Sequence, residues 1–314
     1  MQLTGIHHLT AITANASANH DFYTRVLGLR LVKKTVNQDD VSAYHLFYAD
    51  GRGSPGSDIT FFDWPAAPSA HGRQSISGTS LRIPASGLDW WRDRFDANGV
   101  AHSKITERAG RGTLDFSDGE GQRLALVADR AADDAHVWQD SVVPAEHQII
   151  GLGPITLTLG ELGLTERVLT EVLKMRRIGS FADARQRGAE TFMFTMGDGG
   201  AAAELHVTIA PDLQPARQGA GGVHHVAFRV VDGMYDAWAA RLVEHRMPSS
   251  GPIDRFYFRS LYFREPGGVL FELATDGPGF VADEPLETLG KALSLPPFLE
   301  DRRAEIEVGL KPIG

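Results

Sequence analysis

The sequence predicts an α+β protein of four βαβββ modules, folded as two open, mostly antiparallel barrels in which the first and fourth modules share one cavity. Three observations carry this expectation. A pattern of strand, helix and strand meander recurs along the chain, a His-His pair opens the first and last copies, and the 314 residues contain no cysteine.

The first module opens with the apolar strand Gly5–Ile12, continues with a helix over Asn15–Leu27 whose Phe22, Val26 and Leu27 form a stripe, and stops at Gly28. Strand-like runs follow at Arg30–Val36, Ala43–Ala49 and Ile59–Phe62, the last two separated by the glycine-rich turn Asp50–Ser57. The second module reads as strand Gly78–Ile83, helix Leu88–Ala97 and strands ending at Leu124–Val127. The third reads as Ile155–Leu159, helix Leu164–Arg176 and strands ending at Glu204–Ile209. In the fourth, strand Gly222–Val231 precedes an N-capped helix, Asp232–Met247, with Met234, Trp238, Leu242 and Val243 on one face, and then strands Phe256–Phe263 and Val269–Ala274.

Ala128–Gln148, rich in Ala, Asp and Glu and containing Pro144, reads as a linker. It sets a boundary near 140 between an N-terminal domain, 1–140, holding modules one and two, and a C-terminal domain, 141–276, holding modules three and four. Residues 277–314 carry Pro278, Pro285, Pro296 and Pro297 and then Leu299, Ile306 and Leu310 at helical spacing. They read as a strap with a short helix, packed on the second half of the chain.

The composition, 42% hydrophobic and 23% charged, is that of a globular protein, and a net charge of −9 leaves no electrostatic footprint for nucleic acid. The start lacks a signal-peptide pattern and no run approaches the roughly 18 apolar residues of a membrane span, so cytoplasmic residence without a membrane partner is expected. A homodimer is compatible with these features, being the commonest oligomer. Without cysteine there are no disulfides, thiolate sites or Cys nucleophiles, and His, Asp or Glu must hold any metal.

His7-His8 and His224-His225 occupy the same point of the repeat, which chance explains poorly. Strand alternation places His225 on the face of Ala227 and Arg229, and His8 with Thr10, whereas His7 and His224 fall on the helix-facing side. Glu272 lies within the apolar run Val269–Leu273, where a buried carboxylate needs a cationic partner. The competing structural readings are an edge-strand surface position for Glu272 and hydrogen-bonded core positions for the histidines. Aligning the modules puts Thr79 and Pro154 in the His8/His225 slot, and Thr60 or Phe61, Ala125 and Glu204 in the Glu272 slot. Only His8, His225 and Glu272 make a complete set, so modules one and four must be neighbours. Two histidines and one carboxylate leave coordination positions open, as in non-heme Fe(II) enzymes that activate oxygen; ligand type does not separate Mn(II) from Fe(II). A zinc or nickel site would call for a fourth ligand or a general base, and module one offers no carboxylate there.

The paired strands Gly5-Ile6-His7-His8-Leu9-Thr10 and Gly222-Val223-His224-His225-Val226-Ala227, with Pro266-Gly267-Gly268-Val269-Leu270-Phe271-Glu272, resemble the vicinal oxygen chelate superfamily of glyoxalases, bleomycin resistance proteins and extradiol dioxygenases. The run Asp254–Pro266 and the tail Leu295-Pro296-Pro297 with Glu300, Arg303 and Glu307 narrow the resemblance to hydroquinone-type ring-cleaving dioxygenases, the group of 2,6-dichlorohydroquinone 1,2-dioxygenase. The resemblance implies an Fe(II) centre on His8, His225 and Glu272 in a cavity of modules one and four, opening a small aromatic diol with O2. It further implies that His7, Thr10 and His224 surround the metal and that Arg255 and Tyr262 contact substrate hydroxyls or oxygen. Arg255 and Tyr262 are seven positions apart and point to opposite faces of a regular strand, so a bulge or turn must intervene. A surface salt bridge for Arg255, a core position for Tyr262 and a supporting hydrogen-bond role for His7 and His224 are the alternatives at those residues. At the level of the whole chain, the alternatives are a glyoxalase-type isomerase or thiol transferase, and a non-catalytic protein that sequesters an aromatic or drug-like ligand.

Overall fold

The computed structural model describes residues 1–130, 136–183 and 185–313, and among them sixteen strands and five α-helices follow the modular order. Module one comprises β1 (Gly5–Thr13), α1 (Ala16–Asp21), β2 (Arg30–Asn37), β3 (Asp40–Ala49) and β4 (Asp58–Asp63). Module two comprises β5 (Ser75–Pro84), α2 (Leu88–Asn98), β6 (Thr106–Arg108), β7 (Arg111–Ser117) and β8 (Arg123–Asp129). Module three comprises β9 (Gly151–Leu159), α3 (Gly163–Arg167), β10 (Arg176–Ala182), β11 (Glu190–Thr195) and β12 (Glu204–Ile209). Module four comprises β13 (Val223–Val230), α4 (Tyr235–Glu244), β14 (Ile253–Asp254), β15 (Arg259–Arg264) and β16 (Leu270–Thr275), and α5 (Arg303–Gly309) lies in the tail.

The helices bury one stripe each: Trp91 and Phe95 of α2, four residues apart, and Tyr235, Trp238 and Leu242 of α4 lie against the sheets. In modules one and three the predicted helices are shorter and end in π-helical turns, Phe22–Val26 and Val168–Val172. Gly28 then turns the chain at φ 70°, where a Cβ would lie 2.4 Å from Val143 Cγ2. The expected side-chain cap of the fourth helix is not formed. Asp232 begins a 3-10 turn, and its carboxylate instead accepts the backbone N–H of Asp276 at 3.0 Å.

Two eight-stranded sheets result, ordered β14-β15-β16-β13-β1-β4-β3-β2 and β10-β11-β12-β9-β5-β8-β7-β6. Each is mostly antiparallel, with β1–β4, β13–β16, β5–β8 and β9–β12 as parallel pairs. The first sheet joins modules one and four and the second joins modules two and three, so each sheet draws on both sides of the boundary expected near 140. Residues 131–135 of the expected linker lie outside the described residues. Its later part packs: Val143 is buried, and Ser141 Oγ donates to the Gly28 carbonyl at 2.7 Å.

The strap packs on module four as expected, Phe280 and Leu289 clustering with Tyr257, Phe258 and Ala274. It also extends over module one, where Leu295, Leu299 and Ile306 form a cluster with Val36 of β2. Lys34 bridges to Leu293, and the Ser294 N–H donates to the Lys34 carbonyl at 2.9 Å. The physical reason is that β2 ends its sheet, and an uncovered edge strand exposes unpaired backbone groups. Beneath the strap, fully buried Lys33 donates to Asp283 Oδ1 at 2.7 Å, to the Phe280 carbonyl at 3.1 Å and to Glu284. Asp283 also accepts from the Tyr257 hydroxyl at 2.9 Å. Lys33→Met removes the cation from two largely buried carboxylates, and we expect it to destabilise the fold by about 3 kcal/mol, read as a lower urea midpoint at unchanged slope. An unchanged midpoint would show that this ion network does not hold the strap.

Candidate metal centre and active site

The antiparallel pairing of β1 with β13 sets Thr10 opposite His225 and His8 opposite Ala227. Parallel pairing of β13 with β16 sets Ala227 beside Glu272, and β15 places Tyr262 on its other side. Side chains directly opposite in a sheet share a face, so His8, His225, Glu272 and Tyr262 converge on the inner surface. The ligand atoms of His8, His225 and Glu272 lie within 4.8 Å of one another, all three residues being buried.

His8 Nε2 and His225 Nε2 approach Glu272 Oε2 at 3.2 and 2.9 Å. Their directions do not make hydrogen bonds, and both Glu272 carboxylate oxygens and His225 Nε2 lack a hydrogen-bond partner among the described residues. A fully buried carboxylate left in that state is costly, and a cation on which two imidazole nitrogens and one oxygen converge removes the cost. The donor set therefore fits a divalent metal. Burial alone would raise the Glu272 pKa, but the neighbouring His8 and His225 hold it well below the usual carboxylate range. Burial, followed by the charge of His8 and Arg255, keeps His225 below its ordinary value despite Glu272.

His7 and His224 depart from their predicted side. Both are bulge residues: pairing passes from Ile6–Phe228 to His8–Ala227 on one strand, and from Thr10–His225 to Ala11–Val223 on the other. An extra residue in a ladder breaks the alternation, so consecutive histidines reach each other. His7 Nδ1 lies 2.8 Å from His8 Nδ1, and His224 Nδ1 lies 2.8 Å from His225 Nδ1. Burial first, then the adjacent histidine, pushes each of the outer rings down to about 3, leaving them neutral.

Thr10 shares the inner face but bonds within the sheet, accepting from Thr60 Oγ1 at 2.9 Å. The turn needed between Arg255 and Tyr262 is present. Phe256 adopts φ 70°, and the Arg255 N–H donates to the Phe258 carbonyl at 2.9 Å. Arg255 thus lines the cleft with its guanidinium 5.6 Å from the Tyr262 ring centre, while Asp39 pairs with it at 2.8 and 3.2 Å. Burial raises the Tyr262 phenol above its ordinary value, as does Glu272, so it stays protonated.

Sequence reasoning missed the aromatic walls and one histidine. Phe258 packs 5.1 Å from His8 and 5.3 Å from His7, and Phe47, Phe62 and His45 line the same cleft. The usable signal for His45 was its parity with Phe47 on β3. Two slots of the module alignment also need correction. In the second sheet Gly78, not Thr79, pairs with Thr156, and Thr156 lies beside His206, not Glu204. A bulge between Ile76 and Gly78 shifts the first slot by one residue, whereas β9 and β12 pair in regular register and the second slot lies two residues further along β12. There Glu204 is satisfied by the protein itself: Arg111 bonds both its oxygens, and His206 Nε2 lies 3.0 Å away. Although burial opposes it, these partners bring Glu204 down to about 2.

Paired βαβββ modules, one pair carrying an inward-facing two-histidine, one-carboxylate cluster, define a protein with a candidate metal centre at a curled sheet. The chain belongs to the Glyoxalase/Bleomycin resistance protein/Dioxygenase superfamily, which it matches over residues 5–126 and 151–273. It is 48% identical over 317 residues to the "putative ring-cleaving dioxygenase MhqA" of Bacillus subtilis (strain 168), covering 100% of both chains. It is 32% identical to the chlorohydroquinone/hydroquinone 1,2-dioxygenase of Sphingobium indicum, covering 97% of this chain and 95% of that one. A solved Bacillus subtilis structure with a name of the same kind superimposes with a TM-score of 0.92 at 35% identity, covering 100% of this chain and 98% of that one. Glyoxalase I of Zea mays shares the fold alone, with a TM-score of 0.63 at 14% identity, covering 87% and 92%.

Histidines held near a pKa of about 3 when folded, against an ordinary 6.5, take up protons on unfolding throughout that window. Stability of the metal-free protein is therefore expected to rise with pH from about 4.5 to 6.5, measured by urea midpoints, with a shallower rise in His224→Gln. A midpoint independent of pH over that range would contradict the neutral buried pair.

Proposed function

We propose that the protein is an Fe(II)-dependent dioxygenase that opens the ring of hydroquinone or a substituted hydroquinone beside a hydroxyl, with both atoms of O2 entering the product. The observation that carries this reading is the buried His8–His225–Glu272 cluster, its carboxylate unsatisfied, beneath an aromatic-lined cleft. The similarity to the Sphingobium chlorohydroquinone/hydroquinone 1,2-dioxygenase supports it.

His8 Nε2, His225 Nε2 and a Glu272 oxygen would hold the metal. Fe(II) in such a set keeps positions open and supplies the activation of O2. The remaining work falls to side chains. With Nε2 engaged, His8 and His225 carry their proton on Nδ1 and donate it to His7 Nδ1 and His224 Nδ1, which orients both ligand rings. Phe47, Phe62 and Phe258 exclude water and accept a flat ring. Arg255 offsets the negative charge of a substrate oxygen that has lost its proton, and the protonated Tyr262 hydroxyl is a donor to the same region.

A glyoxalase-type isomerase is less well supported, because the module-one equivalent of Glu272 is Thr60, tied up with Thr10, and among the described residues no fourth protein ligand joins the cluster. A purely sequestering protein would have no use for the unsatisfied carboxylate. Protein purified without oxygen and loaded with iron should consume O2 with hydroquinone and yield a ring-opened chromophore. His225→Ala and Glu272→Gln should lose about a thousandfold or more of that rate and most bound iron. Tyr262→Phe should lose about a hundredfold while retaining the metal. Full activity in either ligand variant, measured by oxygen electrode, would sink the mechanism. Lactoylglutathione formation from methylglyoxal and glutathione would favour the isomerase.

A further inference from the structure

The cleft contains a third histidine that the chemistry above leaves unused. His45 sits on β3, two strands from β1 in the sheet order, with ring centres 4.0 Å from Phe47 and 4.5 Å from Phe62. Its Nε2 is 3.0 Å from Thr60 Oγ1, and Thr60 Oγ1 donates in turn to Thr10 Oγ1 at 2.9 Å. A threonine hydroxyl has one proton. With that proton directed at Thr10, Thr60 can only accept from His45, so the imidazole proton resides on Nε2. Nδ1 is therefore a lone-pair acceptor. It has no hydrogen-bond partner among the described residues, and the ring lines the cleft together with His8 and His225. Burial, then the charges of His8 and His225, pushes the ring well below its ordinary pKa and so keeps it neutral.

We propose that His45 Nδ1 accepts a hydrogen bond from a second hydroxyl of the substrate, the one remote from the metal centre, and so selects an aromatic diol over a monophenol. Strands two apart in a sheet are separated by about 10 Å, and side chains reaching inward from both narrow that span to the scale of one ring with polar groups at opposite ends. A hydroxyl pressed into walls of Phe47 and Phe62 without a partner would be strongly disfavoured, whereas a fixed neutral acceptor satisfies it. The converse also holds. A site that presents an acceptor to a hydroxyl rejects the analogue lacking it, because Nδ1 is then left unpaired. The Thr10–Thr60–His45 chain makes the acceptor rigid, since rotating the ring would break the Thr60 bond.

The choice of diol rests on the ring-cleavage reading, so the test measures binding and turnover separately. Hydroquinone and phenol are titrated calorimetrically under nitrogen into the iron-loaded wild type, His45→Phe and His45→Asn, the last keeping a side-chain oxygen near the position of Nδ1. Expected is an approximately tenfold weaker hydroquinone affinity in His45→Phe, a change of less than about twofold for phenol, and recovery to within about threefold in His45→Asn. Hydroquinone affinity unchanged in His45→Phe, or equal losses for both ligands, overturns the proposal. Oxygen uptake by the same wild-type sample separates the two ideas. Discrimination at His45 without O2 consumption supports the acceptor role and removes the ring-cleavage reading alone.

Discussion

The ladder between β1 and β13 is the contact on which the rest of the site depends. It joins the first and last modules of the chain in one sheet, and its two bulges are what place four histidines in two touching pairs. A regular ladder would send His7 and His224 to the helix layer, where they would be buried without each other. With the bulges, His8 and His225 each have a neutral histidine neighbour 2.8 Å away, and the inner face keeps room for Thr10, Thr60 and His45. The parallel pairing of β13 with β16 adds Glu272 at the one register that meets both histidines.

The two sheets show alternative solutions to one electrostatic problem. Each buries a carboxylate on a strand of the meander. In the second sheet Arg111 and His206 surround Glu204 and settle its charge inside the protein. In the first, no arginine or lysine among the described residues pairs with Glu272, and two imidazoles approach it without making hydrogen bonds. An ion pair completed by side chains leaves no open coordination position, whereas a carboxylate that waits for a cation does. The same fold thus buries one carboxylate closed by the protein's own side chains and another left open.

The wall of the cleft is held from outside. Lys33, Asp283 and Tyr257 tie β2, the strap and the turn that carries Arg255 and Phe258 into one buried network. Phe258 lies against both His7 and His8, so the strap supports the candidate metal centre through one layer of side chains. Packing of the tail on module one therefore belongs to the architecture of the site as well as to the protection of an edge strand.

The modules and the His8–His225–Glu272 set as a candidate metal site were legible in the sequence because they depend on local pattern. Strand alternation, a repeated dipeptide at one point of the repeat and an acidic residue within an apolar run are all short-range features. Tertiary structure decided what local pattern cannot encode. Bulges are departures from alternation, so the orientation of His7 and His224 and the module slot at Gly78 shifted with them, while the slot at His206 follows from the register of β9 with β12. The strap reached beyond module four onto module one because the exposed edge of β2 is a property of the assembled sheet. His45 was hidden for a related reason: its significance comes from Thr60 and Thr10, brought beside it by strand pairing alone. The absence of cysteine narrowed the metal ligands in advance, while the unsatisfied oxygens of Glu272 emerged only once the surrounding strands fixed what could and could not reach them.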